Sequence, residues 1–557
     1  MRLSPTLPRL QSATVLRQAP ANLARQGRVD GETIDIAAIT DFYQISPAAR
    51  FSTVLEKLLK EHPQLLLLFG GDGLSPSPES SKTLGAHMVD IMNVFNRQVK
   101  GRMLAVIGNH EFDFGFRNLI KQINRSHFKW LGANLLKNER HLKETPAYQI
   151  IKINGRRILV YGVVVPEVYS ELPKEIRLEE PLKQIKLELL NLIKARRPDM
   201  VVILGHLGED YYKDLLDLPY VDLEIIGHQH TASAIKNKLF CADANIQSYI
   251  QAQVTFKERP LLFQRLWQQM DDTVHNKTPE SNVEKIEAHI LPLSEDTPEH
   301  PAVLKAVDPQ LLAWSKSLDE PVAQLEKTFN LTFKHLRKGG ETREGNWLAD
   351  TLLQAWNYIH PNWPAEASMI HAGSLRLDNT VPKGPLTKRD LADLLPFHGN
   401  IVRIEATGAL VKDILEEALA HGSSDDIANR HPGFFMNVGG LEIEADMSKR
   451  FGERIKAIYR TEGHQLLKAE DKIYLTLSQF LTERKCGLSA LPDYVEQYPE
   501  LVKMGKTMDE QVGKAMDEQV GNTMYLYYIQ SYLESLKTDS TLPKLVPTLD
   551  DRWKITN

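Results

Sequence analysis

Five short apolar runs in the first 230 residues each stop at a residue able to bind a metal. "AAIT" runs into Asp41, "LLLLFGG" into Asp72, "LAVIG" into Asn109 and His110, "VVILG" into His206, and "LEIIG" into His228 and His230. Short apolar runs bounded by turn formers read as buried strands. Repeated endings in amide, imidazole and carboxylate groups restrict the chain to folds whose strand ends share one edge. In α/β sheets ligands collect outside the carboxyl ends of the strands, so these residues are expected to converge. Gly71, Gly108, Gly205 and Gly227 precede four of the endings and predict sharp backbone turns there.

Helix-period segments separate the runs. "FSTVLEKLLKEH" puts Phe51, Val54, Leu55, Leu58 and Leu59 on one helical face, "SKTLGAHMVDIMNVFN" reads as another helix, and a long helix is expected around 181 to 195. Strands alternating with helices predict a layered α/β domain. From about residue 294 a stretch rich in proline and charge reads as a linker feeding a helix. A second mixed α/β region begins near Pro321 and ends with the helix "MYLYYIQSYLESLK". The expected division is a basic tail over 1–30, a first domain over 31–296, a linker and connecting helix over 297–325, and a second domain over 326–545. The tandem "MDEQVGKAMDEQVGNT" at 508–523 has too few copies for a solenoid and reads as a short duplicated insertion.

At 557 residues the chain exceeds one ordinary core, which supports two domains. Its balance of 67 basic against 72 acidic residues gives no electrostatic footprint for a nucleic-acid polymer. Two distant cysteines, Cys241 and Cys486, form no disulfide framework or thiolate metal site. The apolar stretches are too short for a membrane span. Five arginines precede the first acidic residue, Asp30, with no apolar run of the kind a secretory signal needs. A cytoplasmic location is the expectation, with an organelle transit peptide as the alternative. Oligomeric state cannot be read from the sequence.

A mixture of Asp, Asn and His donors suits manganese, iron or zinc better than calcium. One carboxylate can bridge two cations about 3.5–4 Å apart, the spacing of two-metal hydrolytic sites. Here the chain resembles the 5′-nucleotidase/UDP-sugar hydrolase type of metallophosphoesterase. "TDFY", "GGDGLSPS", "GNHEFDFG", "LGHLGED" and "IIGHQHT" stand where that family has Asp-x-His, Gly-Asp, Gly-Asn-His-Glu, Gly-His and Gly-His-x-His. "ETREGNWLAD", "HAGSLRLD", "PLTKRDLADLLPF" and "GFFMNVGGL" extend the resemblance through the second region, in order.

The resemblance implies a four-layer α/β metallophosphoesterase sandwich followed by a C-terminal α/β domain of 5′-nucleotidase type. It implies two divalent cations (manganese, zinc, iron or magnesium), one held by Asp41, Asp72 and His230 and the other by Asp72, Asn109, His206 and His228. Attack on phosphorus by a bridging hydroxide, in line with the leaving oxygen, would follow. His110 would sit over the phosphoryl group, oriented by Asp113, while Glu111 is set aside as a structural loop carboxylate. Arg376 would meet the substrate phosphate, with Arg337 or Lys338 as a second cation. Phe435 is the expected platform for a flat group, and Asn109 and His371 are further expected substrate contacts.

Three positions depart from the family pattern. Tyr43 replaces a histidine ligand and is either a ligand or a neighbour of the metal, His371 replaces an asparagine, and Leu488 replaces a second stacking aromatic. The expected substrate is a small phosphorylated metabolite, a nucleoside 5′-phosphate first. A sugar phosphate or nucleotide sugar, or phosphate binding without turnover, is the alternative.

Overall fold

Every side chain from Leu65 to Phe69 is fully buried, as expected for a strand covered on both faces. The structure, a computed structural model, describes residues 33–556 apart from 167–171, 259–279, 338, 376, 378, 396–399, 423–431, 484–486, 505–523 and 539–540. The basic tail, Lys338, Arg376, Cys486 and the duplicated octapeptide therefore lie outside the described residues. The chain divides into two compact units between Pro309 and Gln310.

The first unit contains two six-stranded sheets. In one, Thr33–Ile39, Leu66–Phe69, Met103–Val106 and Lys129–Leu131 run parallel, edged by antiparallel Ser248–Phe256 and Val283–Pro292. In the other, Arg156–Val164, Met200–His206, Leu223–Gly227 and Leu239–Cys241 are parallel, with antiparallel strands at both edges. The sheets touch where Gly162 lies against Leu131, so closely that a β-carbon there would meet the Leu131 side chain at 2.2 Å. Phe51 of the Ile45–Glu61 helix and Phe95 of the Ala86–Gln98 helix pack edge to face over the first sheet, reaching Phe42 and Tyr249. Ile185, Leu189 and Ile193 of the Pro181–Arg196 helix bury against Leu159, Tyr161 and Val201 of the second.

The segment expected as one helix from Ser81 is two, Pro78–Thr83 and Ala86–Gln98, broken at Leu84 (φ 53°) and Gly85 (φ 78°). The break exposes the Leu84 carbonyl, which accepts hydrogen bonds from Asn118 Nδ2 (2.9 Å) and Gln122 Nε2 (3.2 Å) of the Phe116–Arg125 helix. Among the described residues no helix is long and apolar enough to cross a membrane.

The second unit is built on a five-stranded sheet ordered Met436–Gly439, Ala367–His371, Lys472–Ser478, Ile401–Thr407 and Val502–Met504. Two buried clusters form its core, one including Trp356, Ile370 and Tyr528, the other Met369, Phe435 and Trp553. The terminal strand Trp553–Thr556 joins a second sheet in parallel with Leu441–Asp446. Arg552, 8% exposed, anchors it by a bidentate pair to Asp350 (2.9 Å each) and by Nη1 to the Val438 carbonyl (2.6 Å). Arg552→Ala is expected to lower stability by about 2 kcal/mol, the scale of hydrogen bonds to a charged group. Urea unfolding of the variant checks it, and an unchanged midpoint would show the anchor to be dispensable.

Candidate metal centre

The strand ends do meet. Asp41 follows Thr33–Ile39, Asp72 follows Leu66–Phe69, Asn109 and His110 follow Met103–Val106, His206 ends its strand, and His228 and His230 follow Leu223–Gly227. Asp41 (φ 50°), Asp72 (φ 60°), His228 (φ 88°) and His230 (φ 58°) all occupy the left-handed region, which residues with a β-carbon rarely adopt. Such strain persists only where surrounding contacts enforce it, and it gathers at functional sites. The contacts are visible here. Asp41 N–H donates to the Gly71 carbonyl at 3.0 Å, and the His228 N–H donates to the Asp41 carboxylate at 3.0–3.1 Å.

Of the four glycines expected to make sharp turns, only Gly71 has a positive φ (87°). Gly108 and Gly227 serve close approach instead. A β-carbon on Gly108 would meet Asp72 Oδ1 at 2.1 Å, and one on Gly227 would meet the Gly70 carbonyl at 2.2 Å.

Two groups of donors form around Asp72. Asp72, His206 and His228 make one and Asp41, Asp72 and His230 the other, the donor atoms of each lying within 4.8 Å of one another. Asn109 joins the first: its Oδ1 is 3.0 Å from His228 Nδ1 and 3.2 Å from His206 Nε2. His206 Nδ1 lies 2.8 Å from the Gly70 carbonyl and donates to it. In the neutral ring Nε2 then carries a lone pair, yet it lies 3.0 Å from Asp72 Oδ2 and 3.3 Å from His228 Nδ1. Asp72 Oδ2 is buried without a hydrogen-bond partner. Lone pairs converging on a buried carboxylate oxygen fit a bound cation.

Without a cation, a proton on His206 supplies the positive charge beside Asp72 instead. Burial opposes ionisation of Asp72, but His206, His110 and His228 outweigh it and hold the carboxyl well below the usual range. Burial favours neutral His206, but Asp72 and Asp41 push it up to about 10. Burial, then the neighbouring His206, pushes His228 down to about 3. Burial, then the Asp72, Asp41 and Glu111 carboxylates, drives the Tyr43 phenol well above its ordinary value, so it stays protonated.

His110 Nδ1 is 2.8 Å from Asp113 Oδ2, and its Nε2 is 4.0 Å from Asp72 Oδ2. Tyr43 OH lies 3.4 Å from His230 Nε2. Glu111, fully buried, accepts the backbone N–H groups of Asp72 (3.0 Å), Gly73 (2.6 Å), Leu74 (3.2 Å) and Gly108 (2.6 Å). Asn245, which the sequence does not single out, accepts the Tyr43 N–H at 3.1 Å and donates its own N–H to the Asp41 carbonyl at 2.7 Å.

In the second unit Phe435 departs from the expected platform. It is 1% exposed and packs on Trp553 (ring centroids 5.1 Å), so neither face is open. His371, at the end of its strand, stacks on Phe480 (5.8 Å, 25°), and Phe480 is 39% exposed. Leu488 is buried in the same core as Phe435. Arg337 donates to the Leu375 carbonyl at 3.4 Å.

Two family patterns match the chain, calcineurin-like phosphoesterase over residues 34–232 and 5′-nucleotidase, C-terminal domain, over 321–493. The chain is 24% identical to protein 5NUC of Lutzomyia longipalpis over 74% of its own length and 73% of that protein's. It is 21% identical to a 5′-nucleotidase of Homo sapiens, covering 80% of this chain and 79% of the other. Its fold is similar to that of a 5′-nucleotidase precursor from Thermus thermophilus, with a TM-score of 0.67 at 18% identity over 94% and 99% of the two chains. With both patterns in order and the donor groups assembled at the strand ends, the chain belongs to the 5′-nucleotidase family of two-domain metallophosphoesterases and is a phosphomonoester hydrolase.

Proposed function

We propose that Asp41, Asp72 and His230 hold one divalent cation and Asp72, Asn109, His206 and His228 the other, and that nucleoside 5′-phosphates are the preferred substrates. The buried Asp72 carboxylate, common to both donor groups, carries the reading. When bound, such cations supply Lewis acidity toward phosphoryl oxygens and lower the pKa of water. The mixed oxygen and nitrogen donors suit manganese, zinc or iron.

The chain's own groups do the rest. Asp113 accepts the Nδ1–H of His110 and fixes the ring, so Nε2 is turned toward the donor cluster. As an imidazolium, His110 places its Nε2 proton on the departing ester oxygen, and its charge balances the phosphoryl group. Residues 31–296 would form the catalytic domain and 326–545 the domain that binds the organic part of the substrate. The similarity to a 5′-nucleotidase favours a nucleotide. His371 and the exposed ring of Phe480 offer a surface for a flat group, and Arg376 is proposed on its sequence motif for the phosphate.

Metal-loaded protein is expected to turn over p-nitrophenyl phosphate, and AMP faster than glucose phosphate or UDP-glucose. Absence of turnover on the whole panel with manganese, zinc and iron would sink the reading. Asp113→Asn is expected to reduce kcat about 10- to 100-fold on AMP, a part of what general acid catalysis contributes. The loss should be smaller on p-nitrophenyl phosphate, whose leaving group needs no proton. Equal losses on both substrates would remove His110 as the acid.

A further inference from the structure

The two donor groups are not equivalent. Around His206, four donor separations among Asp72, Asn109, His206 and His228 run from 3.0 to 3.3 Å. Tetrahedral bonds of about 2.0–2.1 Å place donors roughly 3.4 Å apart. That half is assembled in advance.

The Asp41 half differs in three ways. Among the described residues it gathers three donor side chains, one of them Asp72, shared with the other half. The position from which the family pattern supplies an imidazole carries Tyr43, a buried phenol. Its hydroxyl lies 3.4 Å from His230 Nε2, the atom that is 3.5 Å from Asp41 Oδ1. With that nitrogen unprotonated, as a ligand nitrogen must be, the phenol donates to it and competes with a cation for its lone pair. Both Asp41 oxygens are also engaged by the His228 N–H.

We propose that this centre binds its two cations with unequal affinity: one tightly at Asn109, His206 and His228, and one weakly at Asp41 and His230, with Tyr43 setting the difference. The inference rests on the two-cation reading above. A phosphorylated substrate, bringing anionic oxygens to the three-donor position, would strengthen the weak site, so the second cation would be drawn in during turnover from the surrounding pool.

The test is titration of chelator-stripped full-length protein with Zn²⁺ alone by calorimetry, with metal content measured after gel filtration. The wild type is expected to show two events separated at least about tenfold in affinity and to retain about one equivalent, a gap within the range that changes beside a metal produce. Asp41→Asn should remove the weaker event and Asn109→Ala should weaken the tighter one. Tyr43→His should narrow the gap and retain both ions, whereas Tyr43→Phe, which removes the phenol's hydrogen bond without adding a ligand, should still retain one after filtration. Two events of equal affinity in the wild type, or an unchanged weaker event in Tyr43→His, would overturn the inference and leave the two-cation reading intact. No binding at all would overturn both.

Discussion

Asp72→Asn is expected to reduce kcat on phosphomonoesters by about 10³-fold, some 4 kcal/mol of transition-state stabilisation. Asparagine is the informative replacement because it isolates charge. It tolerates the left-handed conformation at φ 60° better than alanine does. Its amide oxygen can still accept the His110 N–H that Asp72 Oδ1 accepts at 2.9 Å. What it lacks is the second anionic oxygen, the buried Oδ2 that faces His206. Both donor groups include this carboxylate, so metal content after gel filtration should fall together with activity. The measurement pairs steady-state kinetics with metal analysis on a variant whose circular dichroism matches the wild type. A variant keeping wild-type kcat would show that the shared carboxylate does not organise the chemistry.

The sequence makes the strand ends legible because glycine and polar residues interrupt apolar runs abruptly, and that pattern needs no knowledge of which strands pair. Helix continuity is harder to read. The break leaves only Gly85 as a marker, a single glycine that a helix can also tolerate, and the amides of the Phe116–Arg125 helix that satisfy the Leu84 carbonyl are distant in sequence. Phe435 is misplaced for a related reason. It precedes Met436–Gly439, a strand buried at every position, where alternation cannot say which side is open. Phe480 goes unnoticed because an isolated phenylalanine gives no sign of exposure until its neighbours are placed. The roles of Gly108 and Gly227 are likewise hidden, since close approach is set by a second strand end rather than by local φ.

Glu111 is where local reading reaches furthest short of the structure, and Glu111→Ala is expected to be the most damaging loop substitution. The sequence sets Glu111 among expected ligands and reads it as structural, without saying what it holds. Its carboxylate accepts four backbone N–H groups, three from the loop carrying Asp72 and one from Gly108 before Asn109. The two loops come from neighbouring parallel strands, and no backbone ladder continues past the strand ends to join them. The carboxylate replaces that ladder. Burial, then the Asp72 charge, raises the Glu111 carboxyl to about 7 against the pull of these N–H donors, so the clamp is held at an electrostatic cost. Truncation leaves four buried donors without an acceptor, at roughly 1–3 kcal/mol for each that water cannot reach. A loss of at least about 3 kcal/mol is expected, with weakened retention of both cations because Asp72 and Asn109 are no longer held in register. Glu111→Gln separates the two effects. It keeps one acceptor oxygen and the side-chain volume, so it should fold more stably than the alanine variant yet still bind metal less tightly than the wild type. Thermal unfolding with and without metal, beside Zn²⁺ titration, reads both. If Glu111→Ala unfolds with the wild-type protein and holds its cations as well, the loops are positioned by the strands alone.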